Sequence, residues 1–129
     1  MEAKCNPTFG MLPTRESCIK LMAISFSSPQ KNLTVYRFCN KVVGFLEFVE
    51  TERSKIVKKY GDPTEKEGEY FIPKPRQEEY NREIKELYGT RTDEPLELGL
   101  TEEDFEMCHY PNDERMWLSA GEIMIFLGF

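Results

Sequence analysis

With one histidine, and no C-x-x-C pair among its four cysteines, the chain has no recognisable metal-ligand spacing. His109 adjoins Cys108, but sequence neighbours rarely converge on one ion or form a nucleophile with its base, so no metal, cofactor or catalytic residue is expected. The glycines stand apart, which excludes a Gly-rich phosphate loop. The most apolar run, Ile123 to Leu127, is far too short to cross a bilayer. The N-terminus lacks the apolar stretch of a secretion signal, so a reducing, intracellular setting is expected, with Cys5, Cys18, Cys39 and Cys108 as reduced, small buried hydrophobes. The sequon Asn32-Leu33-Thr34 carries no weight in such a setting. Basic residues are outnumbered 17 to 23, giving a net charge of −6, which disfavours direct nucleic-acid binding by counterion release.

What is present is enough to fold. The 129 residues are 40% apolar and include nine Phe and six Tyr, which supports one hydrophobic core. From Leu33 to Tyr60, Val35, Phe38, Val42, Phe45, Val49 and Ile56 recur at helical spacing, widened by Cys39, Leu46, Val57 and Tyr60. The spacing predicts one amphipathic helix of roughly 40 Å. Lys58 and Lys59 complement its negative end, and Gly61 is expected in the left-handed conformation before Asp62-Pro63. Gly44 is the weak point of this helix, because glycine in a helix interior is unfavourable.

Thr14 caps a shorter helix expected to run to about Ser27, with Cys18, Ile19, Met22 and Phe26 on one face and Pro29 blocking its extension. The short link to Lys31 folds this helix back on the long one as an antiparallel hairpin. Before it, Phe9, Met11 and Leu12 are placed to pack or pair at an edge. Beyond Gly61, residues 69–72 (Glu-Tyr-Phe-Ile) read as a strand stopped by Pro73, and Leu96 and Leu98 as a second strand to pair with it. Between them Tyr80, Ile84, Leu87 and Tyr88 mark a narrow stripe on a charged surface helix ending at Gly89. Leu100-Thr101-Glu102-Glu103-Asp104-Phe105 and Leu118-Ser119-Ala120-Gly121-Glu122-Ile123 each read as a capping box with a hydrophobic staple. The expected fold is α+β, mostly helical: a single domain over 1–129, with a helical hairpin at 14–60 and an α+β part at 61–129 packed on it. A short two-stranded element and further short helices complete it.

Charge is distributed unevenly. Residues 31–60 carry seven basic side chains against Glu47, Glu50 and Glu52, whereas Asp93, Glu94, Glu97, Glu102, Glu103, Asp104 and Glu106 stand without a basic residue among them. The two faces either attract each other within the fold or leave the acidic segment as a contact surface for a basic partner. A second candidate interface is the apolar C-terminal cluster, with Trp117, Phe126 and Phe129, which otherwise reads as a helix docked into the core.

The hairpin, the run Arg-Ser-Lys-Ile-Val-Lys-Lys-Tyr-Gly from Arg53 to Gly61, the Tyr70-Phe71-Ile72-Pro73 strand and the acidic helix from Glu78 to Leu87 together resemble a family of small phage and prophage proteins. The resemblance spans Thr14 to Phe105. It implies a viral context in the host cytoplasm and brings no catalytic residue with it. In that context the expected role is a non-enzymatic accessory factor that binds a protein, such as an inhibitor of a host defence or nucleic-acid-processing protein. The alternative is a structural or assembly component of the virion, for which self-association is expected.

Overall fold

The computed structural model describes residues 6–129. The reading of Cys5 as a buried thiol falls outside them. The longest element is helix α2 (Pro29–Tyr60), 32 residues without a break at Gly44. It begins a turn before Leu33, because the Ser28 hydroxyl accepts from Lys31 N at 3.2 Å and Pro29 fills the first turn, where its missing N–H costs nothing. Pro29, expected to block the preceding helix, serves instead as the start of this one. Val35, Phe38, Cys39, Val42 and Val49 are buried along its stripe, while Ile56, Val57 and Tyr60 are half-buried.

Helix α1 (Arg15–Met22) starts at Thr14, whose hydroxyl accepts from Ser17 N at 3.1 Å. It stops at Met22 rather than Ser27. Tertiary backbone bonds capture the link instead: Ser25 and His109 exchange N–H···O bonds of 3.0 and 2.8 Å, and Phe26 N donates to Asn32 Oδ1 at 2.9 Å. Phe26 therefore enters the core from an irregular segment. The buried face of α1 is Ser17, Cys18 and Leu21, and the expected face is corrected at Ile19 and Met22, which are exposed. The hairpin is antiparallel: Arg15 meets Glu50 at 3.5 Å, the Cys39 thiol lies 3.7 Å from the Cys18 carbonyl, and Met22–Ser25 border the Asn32–Tyr36 turn.

Gly61 is extended, with φ −95°, not left-handed. The chain passes directly into β1 (Asp62–Pro63), which pairs antiparallel with β2 (Tyr70–Phe71). A Cβ on Gly61 would sit 2.7 Å from the Val57 carbonyl oxygen and 2.9 Å from Tyr70 Cβ, so glycine is required for close approach rather than for its dihedral angles. The expected pairing of β2 with Leu96 and Leu98 does not occur. Leu96, Leu98 and Leu100 are buried alternately as the pattern implies, but the segment's backbone is satisfied by the last residue, Leu98 N and Gly99 N donating to the Phe129 carbonyl at 3.0 and 3.4 Å.

Helix α3 (Lys74–Gly89) runs antiparallel along the second half of α2, joined by Lys59–Glu83 at 3.0 Å, Arg53–Tyr88 at 3.3 Å and the Tyr60–Tyr80 ring pair. It buries no residue, as its narrow stripe predicts. Helices α4 (Glu102–Glu106) and α5 (Ala120–Leu127) both carry complete capping boxes. Asp104 reaches the Thr101 amide at 2.9 Å and Glu122 reaches that of Ser119 at 3.0 Å, so the shorter aspartate closes its box as tightly as the glutamate. Phe126 of α5 is fully buried in one cluster with Leu21, Phe38, Val42, Leu98 and Phe105, which joins the hairpin to residues beyond 61.

Two glycines make opposite predictions. Gly61→Ala should lower stability by about 1–3 kcal/mol, since the added carbon meets backbone. Gly44→Ala should raise it by about 1 kcal/mol, because a Cβ there meets nothing within 4 Å and the helix gains propensity. Urea titration of both variants measures the difference, and a stabilised Gly61→Ala protein would contradict the packing described.

Candidate functional site

The acidic segment is built from the outside of the core inward. At its start, the Thr92 amide donates to the Pro7 carbonyl at 2.9 Å and Asn6 Nδ2 donates to the Thr92 carbonyl at 2.8 Å. The buried Thr92 hydroxyl donates to the Glu94 carbonyl at 2.6 Å, which fixes the turn bearing Asp93 and Glu94. Leu96, Leu98 and Leu100 then insert into the core, so Glu97 between them faces solvent. The capped helix α4 presents Glu102, Glu103 and Glu106 outward while Phe105 points in, edge-on to Phe26 at 5.6 Å.

The segment is not free of cations in space. Lys31 of α2 bonds Asp104, and Lys41 of α2 lies 3.7 Å from Glu94. The attraction between the basic helix and the acidic segment is thus realised in two pairs. The Asp104 carboxyl is held below the usual carboxylate range, first by Lys31 and then by the Thr101 amide. Asp93, Glu97, Glu102, Glu103 and Glu106 are exposed and make no ion pair among the described residues. Of seven carboxylates read as one patch, two serve the fold and five face water.

The C-terminal candidates separate in the same way. Phe126 has no exposure and packs edge-on to Phe38, so it is corrected from interface to core. Phe129 lies half-buried on Phe38 at 5.2 Å. Trp117 is exposed, with Tyr110 tilted against it at 5.5 Å and its Nε1 donating to the Pro111 carbonyl at 2.7 Å. The exposed apolar atoms of this end belong to Trp117, Met124 and Ile125, the last two of which border, with Met11, a groove of about 660 Å³.

A second groove, about 520 Å³, opens between Phe9, the Asn40–Phe48 stretch of α2 and the turn from Thr90 to Glu94. Phe9 packs at a tilt against Phe45 and Phe48, with ring centroids 6.0 and 5.6 Å away, and Gly44 leaves the helix surface bare between them. Sequence periodicity places Phe45 on the core stripe but gives no sign that Phe48 and Gly44 share a concave surface with Asp93. The one available signal was the glycine itself, in a helix that does not bend there.

Cys18 and Cys39 are free and fully buried, and the adjacent Cys18 and burial together push the Cys39 thiol up. His109 is exposed, and its backbone makes the bridge to Ser25. Among the described residues no three His, Cys, Asp or Glu side chains converge as metal ligands, and no helix is long and apolar enough to cross a membrane. No family model, curated protein or solved structure matches the chain.

Glu122 ties α5 to α1. Burial opposes its ionisation, but the Ser17 hydroxyl at 2.6 Å, the Ser119 amide and Lys20 at 3.4 Å outweigh that and hold its carboxyl below the usual range. A carboxyl with a depressed folded pKa binds fewer protons folded than unfolded. Its stabilisation is present above the unfolded value and is lost as pH falls through the folded one. Urea midpoints should therefore be level near neutrality and fall below about pH 5. Glu122→Gln should lower the neutral midpoint and flatten the acid slope, and an unchanged slope would show that the Glu122 network does not contribute.

Proposed function

We propose that this chain is a protein-binding accessory factor that engages a basic protein surface through the exposed carboxylates of the 93–106 segment, without catalysis. The single observation that carries the reading is what is left after internal pairing: Asp93, Glu97, Glu102, Glu103 and Glu106, exposed along one stretch and without an ion pair among the described residues. Such a patch holds a negative potential that speeds encounter with a positive partner and repels nucleic-acid phosphates. The phage or prophage setting, and with it a host defence or nucleic-acid-processing target in the host cytoplasm, rests on the resemblance carried by Arg53–Gly61 and its neighbours. The alternative, a virion component that self-associates, has its own support in the exposed Met11, Met124 and Ile125 around one groove.

Reversing Glu97, Glu102, Glu103 and Glu106 to Lys leaves the core, both capping boxes and the Lys31–Asp104 pair untouched. The fourfold variant should keep its circular dichroism spectrum and lose association rate toward a partner captured from bacterial lysate by roughly tenfold or more at low salt. Raising the salt should shrink the difference. If binding survives the reversal and is lost on changing Met124 and Ile125 to Ser, the apolar end is the interface and the acidic reading falls.

A further inference from the structure

We propose that Cys18 and Cys39 form a peroxide-sensitive dithiol, gated by α1, whose closure to a disulfide locks α1 covalently onto α2. The proposal is independent of the acidic surface and concerns two nucleophiles which that surface does not use. Both cysteines are free, and neither has any exposure. They face each other across the hairpin: the Cys39 thiol stands 3.7 Å from the Cys18 carbonyl oxygen and within hydrogen-bonding reach of the Cys18 thiol. Packing as a small hydrophobe explains each cysteine singly. It does not require that two sulfurs 21 positions apart in the chain meet.

Their contact makes the pair unequal. The hydrogen bond from Cys39 holds the Cys18 thiol below its ordinary value against the opposing effect of burial, while the same contact pushes Cys39 up. Cys18 is therefore the attacking sulfur. Its thiolate attacks one oxygen of hydrogen peroxide: an S–O bond forms, the O–O bond breaks, and the departing hydroxide takes up the proton lost by Cys18 and leaves as water. The Cys39 sulfur then gives up its proton and attacks the Cys18 sulfur. The S–S bond forms, the S–O bond breaks, and the second hydroxide leaves with that proton as water. Two thiols are oxidised to one disulfide, and one peroxide is reduced to two waters.

Helix α1 shuts the thiols in, so access to them depends on how firmly it is held. A helix of eight residues does not persist alone in water. Beyond its packed face, α1 is tied down by Glu122, through Ser17 at 2.6 Å and Lys20 at 3.4 Å, and by the exposed Arg15–Glu50 pair. A groove of about 330 Å³ already reaches Met22 and Val35, each one helical turn from a thiol. Local opening of α1 exposes both sulfurs without unfolding α2.

Native full-length protein treated with hydrogen peroxide, then unfolded in iodoacetamide and digested, tests this by mass spectrometry. One linked peptide pair, Cys18 to Cys39, is expected. The same treatment in urea should scatter the linkages, since only the fold brings these sulfurs together. The oxidised form should melt about 10 °C above the reduced one, and dithiothreitol should reverse the gain, because the link restricts the unfolded chain. Glu122→Gln, which loosens α1, should form the same single link several-fold faster. If Cys18 and Cys39 both remain alkylatable after peroxide, or the native linkages match those formed in urea, the proposal is overturned. A linked form that melts no higher than the reduced one also overturns it, since closure would then lock nothing. Closure at the wild-type rate in Glu122→Gln does the same, since the thiols would then be reached without moving α1.

Discussion

The apolar stripe of α2 is longer than any single element available to cover it, and the rest of the molecule is arranged around that mismatch. At about 1.5 Å per residue, its 32 residues extend about 48 Å, while the 8 residues of α1 reach about 12 Å. The hairpin therefore covers only part of the N-terminal half. Phe126 from α5 and the alternating leucines at 96, 98 and 100 join it over the stripe formed by Val35, Phe38 and Val42. Phe9 packs beside Phe45 and Phe48, and α3 takes the C-terminal half with contacts that are largely polar or aromatic. Burial falls along the helix accordingly, complete at Val42 and partial at Ile56 and Tyr60.

Covering a long helix with short pieces has a cost in local stability, since helices of five to eight residues do not persist alone in water. These pieces compensate by being tied at their ends. Both C-terminal helices close a reciprocal capping box. The acid of each box also reaches the hairpin, Asp104 through Lys31 and Glu122 through Ser17 and Lys20. One side chain thus satisfies a helix terminus and fixes that terminus against a neighbouring element. Charge-assisted hydrogen bonds of this kind are stronger than neutral ones, and their partial burial protects them from screening.

The same economy divides the acidic segment into two populations. Carboxylates that meet α2 are absorbed by Lys31 and Lys41; those displaced by the period-two alternation of the leucines, or by the outward face of α4, are left to solvent. Net charge alone could not separate them. The groove beside Asp93 arises where two covering pieces, the Phe9 turn and the turn after α3, fail to meet over a helix surface stripped by Gly44.

The long helix, its antiparallel partner, the surface helix and both capped helices were legible in the sequence, because each is set by interactions within about four residues: hydrophobic period, dipole-compatible lysines, and caps whose donors and acceptors are three apart. The buried alternation at Leu96, Leu98 and Leu100 was legible too, but not its partner. A strand pattern specifies which side chains go inward and says nothing of which backbone satisfies it, and the Phe129 carbonyl lies far along the chain. The same limit explains the early end of α1, where the Ser25–His109 bridge and the Asn32 bond to Phe26 outcompete helix propagation, and Gly61, whose role depends on Tyr70. The sequence by itself determined the elements and the total charge; only the tertiary structure decided which acids are paired, that Phe126 is core, and that Gly44 opens onto Asp93, because these depend on contacts between residues tens of positions apart that no local period encodes.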